Sequence, residues 1–257
     1  MNYNDWEKKL KSFERRIKRD SDNGILWYWY GDFLWNECDN PQKTVHAFEM
    51  AQKLLPDKDL RMRLGSAYVK SGQFEKGISL MLESLKESPT EYGYCFLASA
   101  YLKKNMYKEA NEACQKALSL DPDFEEAFYL LGESYKKDNP KKAIECYKKA
   151  LKRDSTYQLA WQALGRELLS ENKIQEGISA LCKAIELDPQ DGWSKSFLAH
   201  AYRRIGEIEK AEEQYKDAIE VFPKYPDVYK WYAEFLESQD RIDKALELRN
   251  KMKSLSR

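Results

Sequence analysis

Residues 125–168 read EEAFYLLGESYKKDNPKKAIECYKKALKRDSTYQLAWQALGREL, and their spacing decides the fold. Phe128, Leu131 and Tyr135 recur at steps of three and four, which places them on one face of a helix. Pro140 then interrupts the pattern, because proline lacks an amide donor and is tolerated only in the first helical turn. Ala143, Tyr147 and Ala150 follow as a small–large–small stripe on a second helix. Trp161, Leu164 and Leu168 then restate the first helix 33 residues after Phe128, Leu131 and Tyr135. Beside the middle large residue stands Gly132, or Gly165, whose lack of bulk lets a partner helix approach closely.

The unit extends in both directions. Pro56, Pro89, Pro122, Pro189 and Pro223 are separated by 33, 33, 67 and 34 residues, with Ser155 on the beat inside the double interval. Such a period marks an array whose neighbouring units cover one another's apolar faces. Seven units follow, at 24–57, 58–90, 91–124, 125–157, 158–191, 192–225 and 226–257, together predicted to form one solenoid domain of about fifteen helices without strands. The small position is filled in turn by Gly31, Gly65, Ala98, Gly132, Gly165, Ala199 and Ala233. Residues 1–23 are predicted to form a capping helix, with Asn4 and Glu7 at capping-box spacing and an apolar stripe of Trp6, Leu10, Phe13 and Ile17. Arg249, where other units carry an apolar residue, suits a terminal helix facing water.

The motifs WQALG (161–165) and FYLLGESY (128–135) resemble those of the tetratricopeptide repeat (TPR) family, over residues 24–257. Arg61 and Lys195 depart from the pattern at a usually aromatic position, which predicts weaker local packing. The resemblance implies an all-α, right-handed superhelical solenoid of antiparallel helix pairs whose first helices line a concave groove. LWYWYGDFLWNE (26–37) and VYKWYAEFLES (228–238) also resemble half-a-TPR (HAT) repeats of RNA-processing factors.

Composition and motifs exclude several classes. The 43 basic residues balance 43 acidic ones, against a protein built mainly to hold nucleic acid or an anionic membrane. No apolar run approaches 18 residues, and the first 20 are too charged for a secretory leader. The five cysteines (Cys38, Cys95, Cys114, Cys146, Cys182) form no CxxC and suggest buried thiols in a reducing, cytoplasmic setting. His46 and His200 lack partners at metal spacing, and no glycine-rich phosphate loop occurs. No enzyme, cofactor or metal is expected.

What remains is a surface. In each first helix the face opposite the core falls at the second, sixth, ninth and thirteenth places, with the fifth adjoining. The candidate groove residues are Trp29, Arg63, Tyr92, Phe96, Tyr129, Arg166, Trp193, Phe197, His200, Arg204 and Trp231. Aromatic side chains off the packing face are binding candidates, and equally can pack on neighbouring first helices. The fourth unit's Lys141, Lys142, Lys148, Lys149, Lys152 and Arg153 read as a solvated face, with phosphate contact as the alternative. The family's carboxylate clamp for chaperone tails is not met by three consecutive units: Lys230 is the only fifth-place lysine, and Glu234 occupies its matching ninth place. The leading expectation is a non-catalytic scaffold holding a peptide or helix of a protein partner. An RNA-processing component of the HAT type and a peptide-sensing regulator are the alternatives.

Overall fold

The computed structural model describes residues 3–38, 40–55 and 58–255, and the side chains of residues 5–38, 40–55 and 60–255. Pro56 and the side chains of Asn4 and Asp59 therefore lie outside the described residues. Fifteen helices and no strand occur among the described residues. After α1 (Tyr3–Arg19), the first helices are α2 (Gly24–Glu37), α4 (Lys58–Lys70), α6 (Glu91–Lys103), α8 (Glu125–Tyr135), α10 (Gln158–Ser170), α12 (Gly192–Arg204) and α14 (Pro226–Glu237). Each begins on the residue at which the periodicity starts a unit. The second helices are α3 (Pro41–Leu54), α5 (Phe74–Glu87), α7 (Tyr107–Leu120), α9 (Pro140–Arg153), α11 (Ile174–Leu187), α13 (Ile208–Val221) and α15 (Ile242–Leu255). The expected capping box rests on the Asn4 side chain and so lies outside the described residues.

The chain divides into two compact units, Met1–Ser134 and Tyr135–Arg257. In the first, α2 pairs with α3, α4 with α5 and α6 with α7, while α1 lies on α2. In the second, α10 pairs with α11, α12 with α13 and α14 with α15, and α9 packs against α10.

The small positions do what their size implies. A Cβ on Gly31 would come 2.6 Å from the Phe48 ring of α3. A Cβ on Gly77 of α5 would come 2.5 Å from the Gly65 carbonyl of α4, so those two backbones meet where only hydrogen fits. The second-helix stripes are fully buried, as in Ala110, Cys114 and Ala117 or Ala211, Tyr215 and Ala218.

Two turn chemistries join the helices of a pair. Five turns place one residue in the left-handed region: Gly72, Asn105, Asn172, Gly206 and Asp240. Each such residue donates its N–H three residues back while the next donates five back, as in Asn172 to Leu169 (3.2 Å) and Lys173 to Leu168 (2.8 Å). That pair of hydrogen bonds satisfies carbonyls that a helix end leaves open. The turns at 38–42 and 138–141 use Asn-Pro instead. The Asn40 and Asn139 carboxamides accept from the amides of Lys43 (3.0 Å) and Lys142 (3.1 Å), with Pro41 and Pro140 opening the helices.

Two polar departures are braced by ion pairs. Arg61 makes a two-pronged pair with Glu87. Arg249 does not simply face water: its Nε and Nη2 reach the Glu237 carboxylate of α14 at 2.6 and 2.8 Å. The terminal helix α15 instead exposes Ile242 and Leu246.

Candidate functional site

In the first unit, the off-core stripe of the first helices opens into two adjoining cavities. One, of about 400 Å³, is walled by Asp32, Trp35 and Asn36 of α2, Arg63 and Ser66 of α4 and Phe96 of α6, over Phe48. Three successive first helices thus contribute stripe residues, from the ninth and thirteenth places of α2, the sixth and ninth of α4 and the sixth of α6, so the cavity crosses adjacent repeats. The second, of about 410 Å³, shares Asp32 and Asn36 and lies between α2 and α1, which supplies Lys9, Phe13 and Arg16. Helices α1 and α2 run antiparallel there: the Trp6 indole donates to the Glu37 carbonyl (3.0 Å), and the Phe13 ring lies 5.8 Å from Tyr30 and 5.4 Å from Phe33.

The candidate side chains fall into different situations. Trp29 and Tyr92 are each 56% exposed and Phe96 is 41% exposed, so these rings face solvent with no core role. Tyr92 is steadied edge-on by Phe124 at 4.7 Å, and Trp29 by Tyr28 at 5.3 Å. Arg63 pairs with Asp32 at 2.5 Å and lies over the Tyr28 ring at 5.4 Å. Tyr129 is half-buried. Some stripe neighbours are corrected by the structure: Leu130 and Ala163 are buried, as are the fifth-place Met62, Cys95 and Ser196. Burial pushes the Cys95 thiol well above its ordinary value. Cys38, Cys95, Cys114 and Cys146 are buried as expected, whereas Cys182 is exposed.

In the second unit the stripe closes on itself. Trp231 of α14 packs against Trp193 (5.7 Å), Phe197 (6.0 Å) and His200 (5.4 Å) of α12. Trp193 also meets Phe222 and Tyr225 in the connecting turn, at 5.7 and 6.0 Å. Trp193, Phe197, His200 and Trp231 are half-buried, whereas Tyr225 is exposed. Burial, helped by Arg203 and opposed by Glu234, lowers the pKa of His200 and favours its neutral form. Arg204 is committed elsewhere: its Nη1 donates to the Leu169 carbonyl (2.6 Å) and its Nη2 to Asn172 (2.8 Å), closing the end of α10. Arg166 pairs with Glu167 at 3.1 Å.

Sequence reasoning missed several participants. Trp35, Lys9 and Arg16 line the groove from places outside the four-position stripe, because α1 supplies a wall that no repeat template contains. Asp191 was also missed. It is buried, and accepts from Gln158 (2.5 Å), Gln162 (2.7 Å) and the amides of Trp193 and Ser194 (3.1 Å each). Its place before Gly192 is a helix-cap signal, but its use of two glutamines of α10, about 30 residues back, is not local. A third cavity, of about 620 Å³, lies between α1, α2 and α3, where Glu14 and Lys43 neutralise each other at 3.4 Å. Among the described residues no three His, Cys, Asp or Glu side chains are placed to share a metal ion, and no helix is long and apolar enough to cross a membrane.

Comparison with known proteins gives the geometry its context. A TPR repeat model matches residues 98–139, and tetratricopeptide repeat models match 59–91, 126–156 and 159–191. A model of YpiA-like C-terminal tetratricopeptide repeats matches 194–255. The chain is 36% identical over 77 residues to interferon-induced protein with tetratricopeptide repeats 3 of Mus musculus, covering 30% of this chain and 19% of that protein. It therefore spans about a fifth of the length of that curated relative. The crystal structure of MamA is 27% identical, with a TM-score of 0.54 over 62% of this chain and 94% of that one. Yeast Tom70, at 16% identity, is alike in fold alone, with a TM-score of 0.74 over 98% of this chain and 55% of that one. Successive helix pairs, the small-residue contacts within them and repeat models along most of the sequence agree: the chain belongs to the tetratricopeptide repeat family, whose arrays serve as protein-interaction scaffolds.

Proposed function

We propose that the protein binds, without catalysis, a peptide or helical segment of a protein partner in the groove of its first unit. One observation supports this reading: residues of three successive first helices, α2, α4 and α6, wall one cavity flanked by exposed rings. Exposed aromatics cost solvation unless a partner covers them, and Trp and Tyr are favoured interface anchors. Trp29, Tyr92 and Phe96 are the anchors, with Arg63 and Tyr129 as polar and half-buried neighbours.

The second-unit stripe, Arg166, Trp193, Phe197, His200, Arg204 and Trp231, is a further contact surface offering ring edges rather than a free cation. Clamp-type capture of chaperone tails is not part of this reading, since Glu234 would repel the acidic tail that Lys230 attracts. Nor is nucleic acid, given the balanced charge, or a membrane. Four buried thiols fit a reducing compartment such as the cytoplasm.

The test is capture from a native lysate by wild type and by a Trp29→Ala/Phe96→Ala variant, with a melting curve for each. Both rings are exposed, so the variant is expected to melt normally and to lose the protein captured by wild type. Undiminished capture by the variant would refute the groove as the site.

A further inference from the structure

The groove is not electrically neutral, although the chain is. Helix α1 carries seven basic residues against three acidic ones. Its acidic side chains are already engaged: Asp5 faces Lys8 at 4.0 Å, Glu7 pairs with Lys11 at 3.0 Å and Glu14 with Lys43. Lys9 and Arg16 form no ion pair among the described residues, and both are exposed on the wall of the cavity between α1 and α2. They stand seven residues apart, two helical turns, so both face the same side. Between them the lining is aromatic: Phe13, Phe33 and the open face of Trp29.

The two acidic residues of this lining leave one of its three cations uncompensated. Asp32 is already paired with Arg63. Glu37 sits at the far end of α2, towards Lys9, which leaves Arg16 beside Trp29 as the uncompensated cation. Further along the same stripe, Lys70 and Lys103 add two positive charges, and Glu126 and Glu133 on α8 add two negative ones. Lys103 is held below its ordinary pKa by burial and by the neighbouring Lys70. Among the residues lining the two cavities, three cations (Lys9, Arg16 and Arg63) thus face Asp32 and Glu37.

We propose that the partner segment is acidic and carries an aromatic side chain, which enters the α1–α2 cavity beside Trp29 while neighbouring carboxylates meet Arg16 and Lys9. The proposal rests on the groove reading above and adds the ligand's chemistry to it. Helix α1 is then a working wall of the binding site as well as an end cap. Arginine suits the role, because its planar fork can hold a carboxylate with two hydrogen bonds and stack on an indole. Charge complementarity of this kind also raises the rate of encounter and makes binding salt-dependent.

The experiment uses the full chain and three fluorescein-labelled synthetic dodecamers: Glu/Asp-rich with a central Phe, the same peptide with Ala for Phe, and the Phe peptide with Lys for every acid. Anisotropy titrations are run at about 50 and 300 mM salt, within the range over which surface charges become screened. The acidic Phe peptide should bind at least tenfold more tightly than either of the others, and lose several-fold in affinity at the higher salt. Lys9→Glu/Arg16→Glu should weaken it at least tenfold, Trp29→Ala should do likewise, and Lys149→Glu in the second unit should change nothing. Melting curves of the variants are expected to match that of wild type, since the substituted side chains are exposed.

Preference for the lysine peptide, or indifference to Lys9→Glu/Arg16→Glu, would overturn the acidic assignment. If binding were still lost in Trp29→Ala, the groove reading would stand without it. No binding of the acidic Phe peptide would also overturn the proposal, leaving the lysate capture to decide on the groove.

Discussion

Arg63 on α4 reaches back one repeat to Asp32 on α2, with Nη1 2.5 Å from Oδ1, so an ion pair spans the groove between adjacent first helices. Arg204 makes the analogous reach in the second unit, from α12 back to the end of α10. Polar residues of the groove stripe are therefore shared between bracing the array and facing a ligand. Which role dominates depends on exposure.

Arg63 is 45% exposed and Asp32 24%, so solvent screens their attraction. Arg63→Ala is expected to lower stability by about 0.5 kcal/mol, the ordinary worth of a surface pair. Urea unfolding measures this, and a loss above about 2 kcal/mol would mean that the pair anchors the repeat interface.

Gly77→Ala is expected to be far more damaging than its size suggests. Its Cβ would meet the Gly65 carbonyl at 2.5 Å and a Val69 methyl at 2.8 Å, and backbone cannot swing aside. Overpacking of this kind costs about 1–3 kcal/mol. A thermal melt as high as that of wild type would show that α4 and α5 can separate freely.

Trp231→Ala should act on stability before it acts on binding. The ring is half-buried among Trp193, Phe197 and His200, so its removal should cost about 2 kcal/mol, below the range for fully buried rings. Trp29→Ala, with its ring 56% exposed, should change the melt little. Equal melting losses in the two variants would contradict the assignment of one ring to packing and the other to the surface.

The Glu212 carboxyl is held at about 2, chiefly by its hydrogen bonds from Arg241, with Lys216 and Tyr232 adding and burial opposing. A carboxylate whose pKa is depressed in the fold contributes stability above its unfolded value near 4.5, and loses it as pH falls towards 2. Glu212→Gln should therefore be clearly less stable than wild type at pH 7, with the gap narrowing steadily below pH 4.5. Melts of both proteins at pH 7 and pH 3 decide this, and a constant gap would show that the charge is not what Glu212 contributes.

The fold was legible because it is written in local terms. Period, proline and the small position beside Leu131 or Leu164 each express a helix-pair contact repeated along the chain. The site was legible in part. Tyr92 at the second place and Trp29 and Phe96 at the sixth stand exposed where the stripe puts them, whereas Leu130 and Ala163 are buried at that same sixth place. Phe197 and Trp231 share that rank yet pack together, since the rings on α12 and α14 are large enough to touch across the repeat interface. Met62 and Cys95 are buried by the next repeat for the same reason. The roles of Lys9 and Arg16 could not be read from repeat rank, because α1 precedes the array.

The central claim is that the first unit's groove is where a partner docks. Its most direct test is photo-crosslinking in cells with a reactive amino acid placed at Trp29, at Phe96 or at Lys149, followed by mass spectrometry. The account predicts that one discrete protein is captured from positions 29 and 96 through an acidic, aromatic-bearing segment, and not from position 149. Capture from position 149 alone, or none from the groove while the protein is in complex, would contradict it.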